Sequence, residues 1–368
     1  MQVERLWLRD WRSWADLELE LPPEGTLLIV GPNGQGKTNL LEGIAWLATL
    51  ESFRGAGREA VVRSGAERAV LRAEVAREGR ALLLEAEVSR AGHDRVLVNR
   101  QPLRRRADLA SFLRVSVFAP DDLELVKGAP GARRLFLDQF LVSLHPDLVS
   151  LRLSFERVLR QRSALLRQSG GRLSGDLPET LDVWDHELVS LGEDLARGRE
   201  ELVEVLQPRV LRAYRQMVPR GAEPCLTYRR SWQGDLGTAV AANRLEDLRR
   251  ATNGVGPHRD ELELVLGGLP ARIQASQGEQ RSLALSLRLA THGAVTDMLG
   301  SAPVLLLDDV FSELDSERSE SLLGQLPAGQ VLLATAGAVP GAVVAFGMLR
   351  IEAGTLVSPG AARRSGIG

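Results

Sequence analysis

The segment Gly31-Pro-Asn-Gly-Gln-Gly-Lys-Thr38 matches G-x-x-x-x-G-K-[ST] at every position. That spacing suits the cradling of a polyphosphate. Glycines let backbone N–H groups turn toward phosphate oxygens, and a helix starting there adds the positive end of its dipole. The lysine brings a compact ammonium to the β- and γ-phosphates, and the threonine hydroxyl can ligate Mg²⁺. Gly31, Pro32, Asn33, Gly34, Gln35, Gly36, Lys37, Thr38 and Asn39 are therefore the expected nucleotide cradle. Lys37 is expected to act on the transferred phosphate, and Thr38 on the metal. Of the 46 basic residues only Lys37 and Lys127 are lysine, the rest being arginine. A chance match at this composition is expected on the order of 0.002 times in the chain, which argues against a glycine-rich turn that merely contains a lysine.

Two further segments extend this chemistry. Val304-Leu-Leu-Leu-Asp-Asp309 reads as a buried strand ending in two acids. In a P-loop fold the strand beside the phosphate strand ends in a carboxylate near Mg²⁺, so Asp308 is the expected metal ligand. Asp309 is then expected to orient or deprotonate the attacking water. Shortly upstream, Ser276, Gln277, Gly278, Glu279 and Gln280 stand just before a helix. Alone they read as an N-cap with a capping box. Their place ahead of the acidic strand is that of an ABC-type signature loop, which completes the γ-phosphate site of a second subunit. Glu313-Leu-Asp315 resembles the D-loop of that class, with a helix N-cap at Asp315 as the equal alternative.

These groups need elements to hold them. Leu27–Val30 reads as a strand and Asn39–Leu50 as a helix, so the cradle lies in a strand–turn–helix unit. Residues 70–75, 81–88 and 96–98 alternate as antiparallel strands, with turns at Glu78-Gly79 and Ala91-Gly92, and Val115–Phe118 forms another strand. Residues 133–168 and 179–218 carry helical periodicity around a Gly/Ser-rich break, as in a helical hairpin. The first is arginine-rich and the second acid-rich, which predicts charge pairing across the hairpin or a basic face for a polyanion. Beyond Gly254, residues 262–266 and 272–275 are short apolar pieces, Gln280–Leu299 a helix, Gln330–Thr335 a parallel strand and Leu349–Ile351 an edge strand. The expected fold is α/β: a P-loop ATPase head, built on a mixed sheet with an antiparallel β subdomain and carrying an inserted helical arm. Its expected parts are residues 1–130, the arm 131–250, and 251–368.

Composition sets limits. The chain has 368 residues, 46 basic and 48 acidic, with a net charge of −2, so any polyanion site is a local patch. One cysteine, Cys225, excludes an internal disulfide framework, a C-x-x-C redox pair and a multi-cysteine zinc site. Charged residues at Glu4, Arg5, Arg9 and Asp10 are unlike a signal peptide, and no long apolar run suits a bilayer span, so a cytoplasmic protein without membrane attachment is expected. Arg100 with Arg104–Arg106, and the arginines of 152–172, are solvated surface or phosphate contacts. Aromatic residues at 4% offer no stacking platform for single strands.

The chain resembles the RecF family of recombination mediators, within the wider group of SMC-like ABC ATPases. The likeness runs through Leu6–Trp14, Gly34–Glu42, Ser52-Phe-Arg54, Phe118–Leu123, Gly131–Asp138, Gly256-Pro-His-Arg-Asp260, Ser276–Gln280 and Leu307–Val310. SMC-type chains place long coiled coils between their ATPase halves, whereas the insert here is short. The resemblance implies a slow ATPase with Mg²⁺ that forms a homodimer in the ATP state. It also implies binding to double-stranded DNA near gaps or junctions, and action with RecR and RecO to load RecA. Many ABC ATPases carry glutamate where Asp309 stands, and the shorter acid suggests slow turnover. No switch histidine follows residues 330–334, so Thr335 is the expected γ-phosphate sensor, and no Q-loop glutamine stands in Ala119–Asp122. The alternatives are an ABC-type switch acting on a protein assembly, and a P-loop kinase; a kinase has no use for Ser276–Gln280.

Overall fold

The computed structural model describes residues 1–357 apart from 78, 172–174, 313, 338–344 and 353. The chain begins with strands β1 (Gln2–Trp11), β2 (Trp14–Glu20) and β3 (Gly25–Val30), then helices α1 (Lys37–Thr49) and α2 (Arg58–Val61). Strands β4 (Arg68–Arg77), β5 (Arg80–Ser89), β6 (Arg95–Val98), β7 (Gln101–Pro102) and β8 (Val115–Phe118) follow. The middle stretch holds α3 (Glu124–Lys127), α4 (Pro130–Leu144), α5 (Val149–Gln168), α6 (Leu177–Met217), β9 (Pro224–Arg229) and α7 (Leu236–Arg250). It continues with β10 (Glu261–Leu266), β11 (Leu269–Pro270), α8 (Ala271–Gln274) and α9 (Gln277–Leu299). The last elements are β12 (Val304–Asp308), α10 (Ser316–Gly324), β13 (Gln330–Thr335), β14 (Ala345–Glu352) and β15 (Thr355–Val357).

Two compact units result. The first takes Met1–Asp122, Gln216–Val218 and the chain from Arg288 onward; the second takes Leu123–Arg215 and Pro219–Leu287. Residues 251–287, expected with the second half of the head, thus group with the helices.

In the first unit one sheet has the order β15-β14-β3-β13-β12-β8, parallel except for β15. Every residue of β12 and β13 is buried, the signature of a sheet covered on both faces. A second, antiparallel sheet runs β2-β1-β4-β5-β6-β7. On β4 buried positions alternate with more exposed ones, so one face joins the core. Helix α1 lies in this core: Leu40, Leu41, Ile44 and Leu47 pack with Leu6, Leu8, Leu71, Ile29 and Leu332. The Trp11 and Trp46 rings meet edge to face at 5.4 Å.

Two sequence expectations change here. The acidic strand β12 is not beside β3, because β13 lies between them. The 349–351 piece is inside the sheet rather than at its edge; β14 pairs with β3, and the short antiparallel β15 forms the border.

The second unit is mostly helical, with a small sheet β11-β10-β9. The expected continuous helix over 133–168 is two helices, because Pro146 lacks an N–H and residues Pro146–Leu148 form a 3₁₀ turn. The piece 272–275 lies mainly in the helical turn α8 rather than in extended structure. Charge pairing between the arms is realised at Arg162, which is 1% exposed. It donates to Asp185 at 2.5 Å, Asp247 at 2.7 Å and Asn253 at 2.6 Å, joining α5, α6 and α7. Arg152 and Arg160 instead face Glu156 on their own helix. Arg199 grips Asp138 with two bonds of 2.7 and 2.9 Å. Replacing Arg162 by methionine keeps the volume and strands the buried Asp247 carboxylate and the partly buried Asp185 carboxylate. The expected loss is about 3–5 kcal/mol, lowering the thermal midpoint by about 5 °C. Calorimetry of the full chain checks this; a midpoint within about 2 °C of the parent contradicts it.

Among the described residues, no helix is long and apolar enough to cross a membrane.

Candidate nucleotide site

The cradle is shaped by what surrounds its glycines. A Cβ on Gly31 would sit 2.2 Å from the Ile351 carbonyl oxygen, so β14 presses directly on the start of the loop. Gly36 has φ +103, and a Cβ there would meet Ser13 Oγ at 2.7 Å. Only glycine fits this left-handed cap with the β1–β2 turn so close. That turn also reaches over the loop. Trp14 Nε1 donates to the Gly36 carbonyl at 3.2 Å, and Trp11 Nε1 donates to that of Asn39 at 2.8 Å. The Asn39 side chain, expected in the cradle, donates to Ser13 Oγ at 2.9 Å and so braces the turn. In the sequence Trp11 and Trp14 stand only within the family pattern; two indoles on a short hairpin beside a P-loop are the available signal.

Lys37 is buried, and its Nζ donates to the carbonyls of Gly31 at 2.7 Å and Pro32 at 2.8 Å. Burial lowers its pKa, opposed by the charges of Asp309 and Asp308. Both carboxylates therefore act on the ammonium. Thr38 Oγ1 donates to Asp308 Oδ1 at 2.8 Å, bringing together the two expected metal ligands across 270 residues of sequence. Burial raises the Asp308 pKa, aided by Asp309; the Thr38 bond and the charges of Arg54 and Lys37 oppose it. Asp309 Oδ1 is buried without a hydrogen-bond partner among the described residues. A hydroxyl, a desolvated carboxylate and an orphaned carboxylate oxygen form an all-oxygen donor set that fits Mg²⁺. Pro32, Asn33 and Gly34 remain exposed at the loop tip, with Gln35 partly so.

One buried acid lies behind this site. Glu42, fully buried on α1, receives two bonds from Arg12 at 2.6 and 2.8 Å and a third from Ser52 Oγ at 2.5 Å. An acid among the apolar positions of the helix, at the end of the family stretch Gly34–Glu42, is its sequence signal. Thr335 ends β13 in register with Val30, just before the loop, and its Oγ1 accepts from Gly337 N at 3.2 Å. Asp122 is occupied: it accepts from Ala119 N at 3.0 Å and from Arg288 at 2.6 and 2.9 Å. Asp121 is the exposed acid of that segment.

The Ser276 loop belongs to the second unit. Ser276 N and Oγ both donate to Glu279 Oε2, at 2.8 and 2.7 Å, and Glu279 N donates back to Ser276 Oγ at 3.3 Å. The capping box is therefore formed, with Ser276 and Gln277 exposed and Gly278 partly so. Gln280 departs from the expected nucleotide contact: it is buried, and its amide donates to the Ala271 and Arg272 carbonyls at 3.0 and 3.1 Å. Asp315 caps α10 by accepting from Arg318 N at 2.8 Å, while Glu313 lies outside the described residues.

A phosphate loop on a parallel strand, its threonine bonded to an aspartate that ends another strand, and a flanking antiparallel sheet define an ABC-type ATPase head. The model of the RecF/RecN/SMC N terminal domain matches residues 2–331. The chain is 43% identical to the DNA replication and repair protein RecF of Streptomyces avermitilis, over 97% of this chain and 99% of that protein. It is 42% identical to RecF of Beutenbergia cavernae, over 91% and 94%. A solved structure of the recombination mediator protein RecF-ATP in the RecFOR pathway superposes with a TM-score of 0.88 at 25% identity, covering 97% of each chain. An SMC head bound to the winged-helix domain of ScpA shares the fold, at a TM-score of 0.58 and 17% identity, covering 97% and 96%. The chain belongs to the RecF family.

Proposed function

We propose that this protein is an ATP-dependent, DNA-binding recombination mediator of the RecF type. The carrying observation is the hydrogen bond from Thr38 to Asp308, which joins the phosphate loop to the acidic strand. ATP binds the cradle of residues 31–38, with Lys37 turned from the loop carbonyls to the β- and γ-phosphates. Thr38 and Asp308 hold Mg²⁺, which neutralises charge on the phosphate oxygens when bound. The Ser276 loop of a second copy completes the site, so ATP drives homodimer formation. Water attacks the γ-phosphorus, its proton passes toward Asp309, and the bond to the ADP oxygen breaks. Turnover is slow, and hydrolysis opens the dimer.

The names and structures of the relatives support DNA repair as the setting. On this reading the dimer closes on double-stranded DNA near gaps or junctions. With RecO and RecR it promotes RecA loading in the cytoplasm. Several arginines on the antiparallel sheet are paired with acids, as in Arg5–Glu20, Arg68–Glu87 and Arg72–Glu85. Arg100 and Arg104 are exposed candidates for DNA phosphates.

Sizing the protein with and without ATP and duplex DNA tests the reading. The dimer is expected only with ATP, and DNA binding is expected to need ATP and to weaken steeply with salt. A monomer under saturating ATP and DNA contradicts it, and an ATP dimer without DNA affinity favours a protein partner. Ser276→Arg places a long cation at the proposed joint. It is expected to leave ATP binding by the monomer within about threefold and to weaken dimerisation by roughly 100-fold or more. An unimpaired dimer would remove the loop from the joint.

A further inference from the structure

Asp308 and Asp309 are neighbours at the end of β12, where successive side chains of an extended strand point to opposite faces of the sheet. Asp308 uses its face to meet Thr38. An extended Asp309 would carry its carboxylate to the other face. The backbone instead turns left-handed there, with φ +49. The charges of both residues bear on Lys37, and Asp309 Oδ1 is buried without a partner among the described residues. Asp tolerates this conformation far better than longer or branched side chains do.

The turn is pinned from both sides. Asp309 N donates to the Ala334 carbonyl at 2.9 Å, continuing the pairing with β13. The Asp309 carbonyl accepts from Ser312 N at 3.4 Å and from Ser312 Oγ at 2.8 Å. The backbone bond is long, so the hydroxyl is the stronger hold. Val310 and Phe311 between them are buried, while Ser312 is exposed.

We infer that Ser312 is a positioning residue, whose hydroxyl clamps the left-handed turn and so keeps the Asp309 carboxylate on the same face as Lys37, Thr38 and Asp308. The inference rests on the reading that Asp309 receives the proton of the attacking water. Ser312 acts through the direction of its neighbour's carboxylate. Loss of the hydroxyl lets the turn relax and lowers the share of molecules with the acid aligned.

The test measures single-turnover ATP hydrolysis, ATP affinity and thermal midpoint in the full chain for the parent, Ser312→Ala, Ser312→Thr and Asp309→Asn. Ser312→Ala is expected to hydrolyse roughly fivefold to tenfold more slowly, as loss of one hydrogen bond allows. Its ATP affinity and midpoint are expected to stay those of the parent, because the residue is exposed and outside the cradle. Ser312→Thr, which keeps the hydroxyl, is expected to restore the rate to within about twofold. A Ser312→Ala rate equal to the parent's, with Asp309→Asn inactive, overturns the clamp and leaves the role of Asp309 standing. An active Asp309→Asn overturns that role and the clamp with it. A Ser312→Ala protein that loses ATP affinity in step with rate also overturns the clamp, since the hydroxyl would then be supporting the binding site itself.

Discussion

Lys37→Ala is expected to abolish tight ATP binding, with a loss of about 3–4 kcal/mol, or some 10²–10³-fold in Kd. The side chain is the one ammonium in the loop, and burial makes its charge hard to replace with solvent. The phosphates lose their compact cation, the ammonium that in this structure donates to the Gly31 and Pro32 carbonyls. Arginine does not substitute well, because a planar fork cannot occupy the space of a point charge inside the loop. Titration calorimetry with Mg²⁺ and ATP reads the effect. Retained micromolar affinity, with an unchanged thermal midpoint, would show that another group holds the phosphates.

Asp309→Asn is expected to leave ATP binding nearly intact while hydrolysis falls by about 100-fold or more, the usual contribution of a positioned base. Asparagine suits the left-handed backbone at this position as well as aspartate does, so the change removes charge and basicity with little effect on the turn. If hydrolysis opens the dimer, the variant accumulates as an ATP-bound dimer. Phosphate release and sizing under the same saturating ATP check both halves. Monomers under those conditions, or release at the parent rate, would contradict the role given to Asp309.

The cradle was legible because its constraints are local: a short apolar run, glycines at fixed offsets and a helix within a dozen residues. Strand Val115–Phe118 was legible for the same reason, being apolar and stopped by Pro120. Less could be read where tertiary partners decide. Strand β9 carries exposed Cys225 and Arg229, and only pairing with β10 makes it a strand. Strand order was equally hidden: nothing in residues 304–309 says that β13 comes between them and β3. The acid at 309 shows the limit most clearly. Its length alone suggests slow turnover, and what the residue type does not show is the left-handed backbone at this position, which aspartate accepts better than longer side chains do.

Strand β3 bonds on one side to residues 330–335 and on the other to residues 345–352. The phosphate loop it carries is read early by the ribosome, yet both of its lateral supports emerge about 300 residues later. A nascent chain holding the complete glycine-lysine motif thus lacks the walls against which that motif is set. Loop closure over such a span is slow and brings no reward until the final strands arrive. Competence to hold nucleotide is accordingly tied to completion of synthesis, and an interrupted product carries the motif without its function.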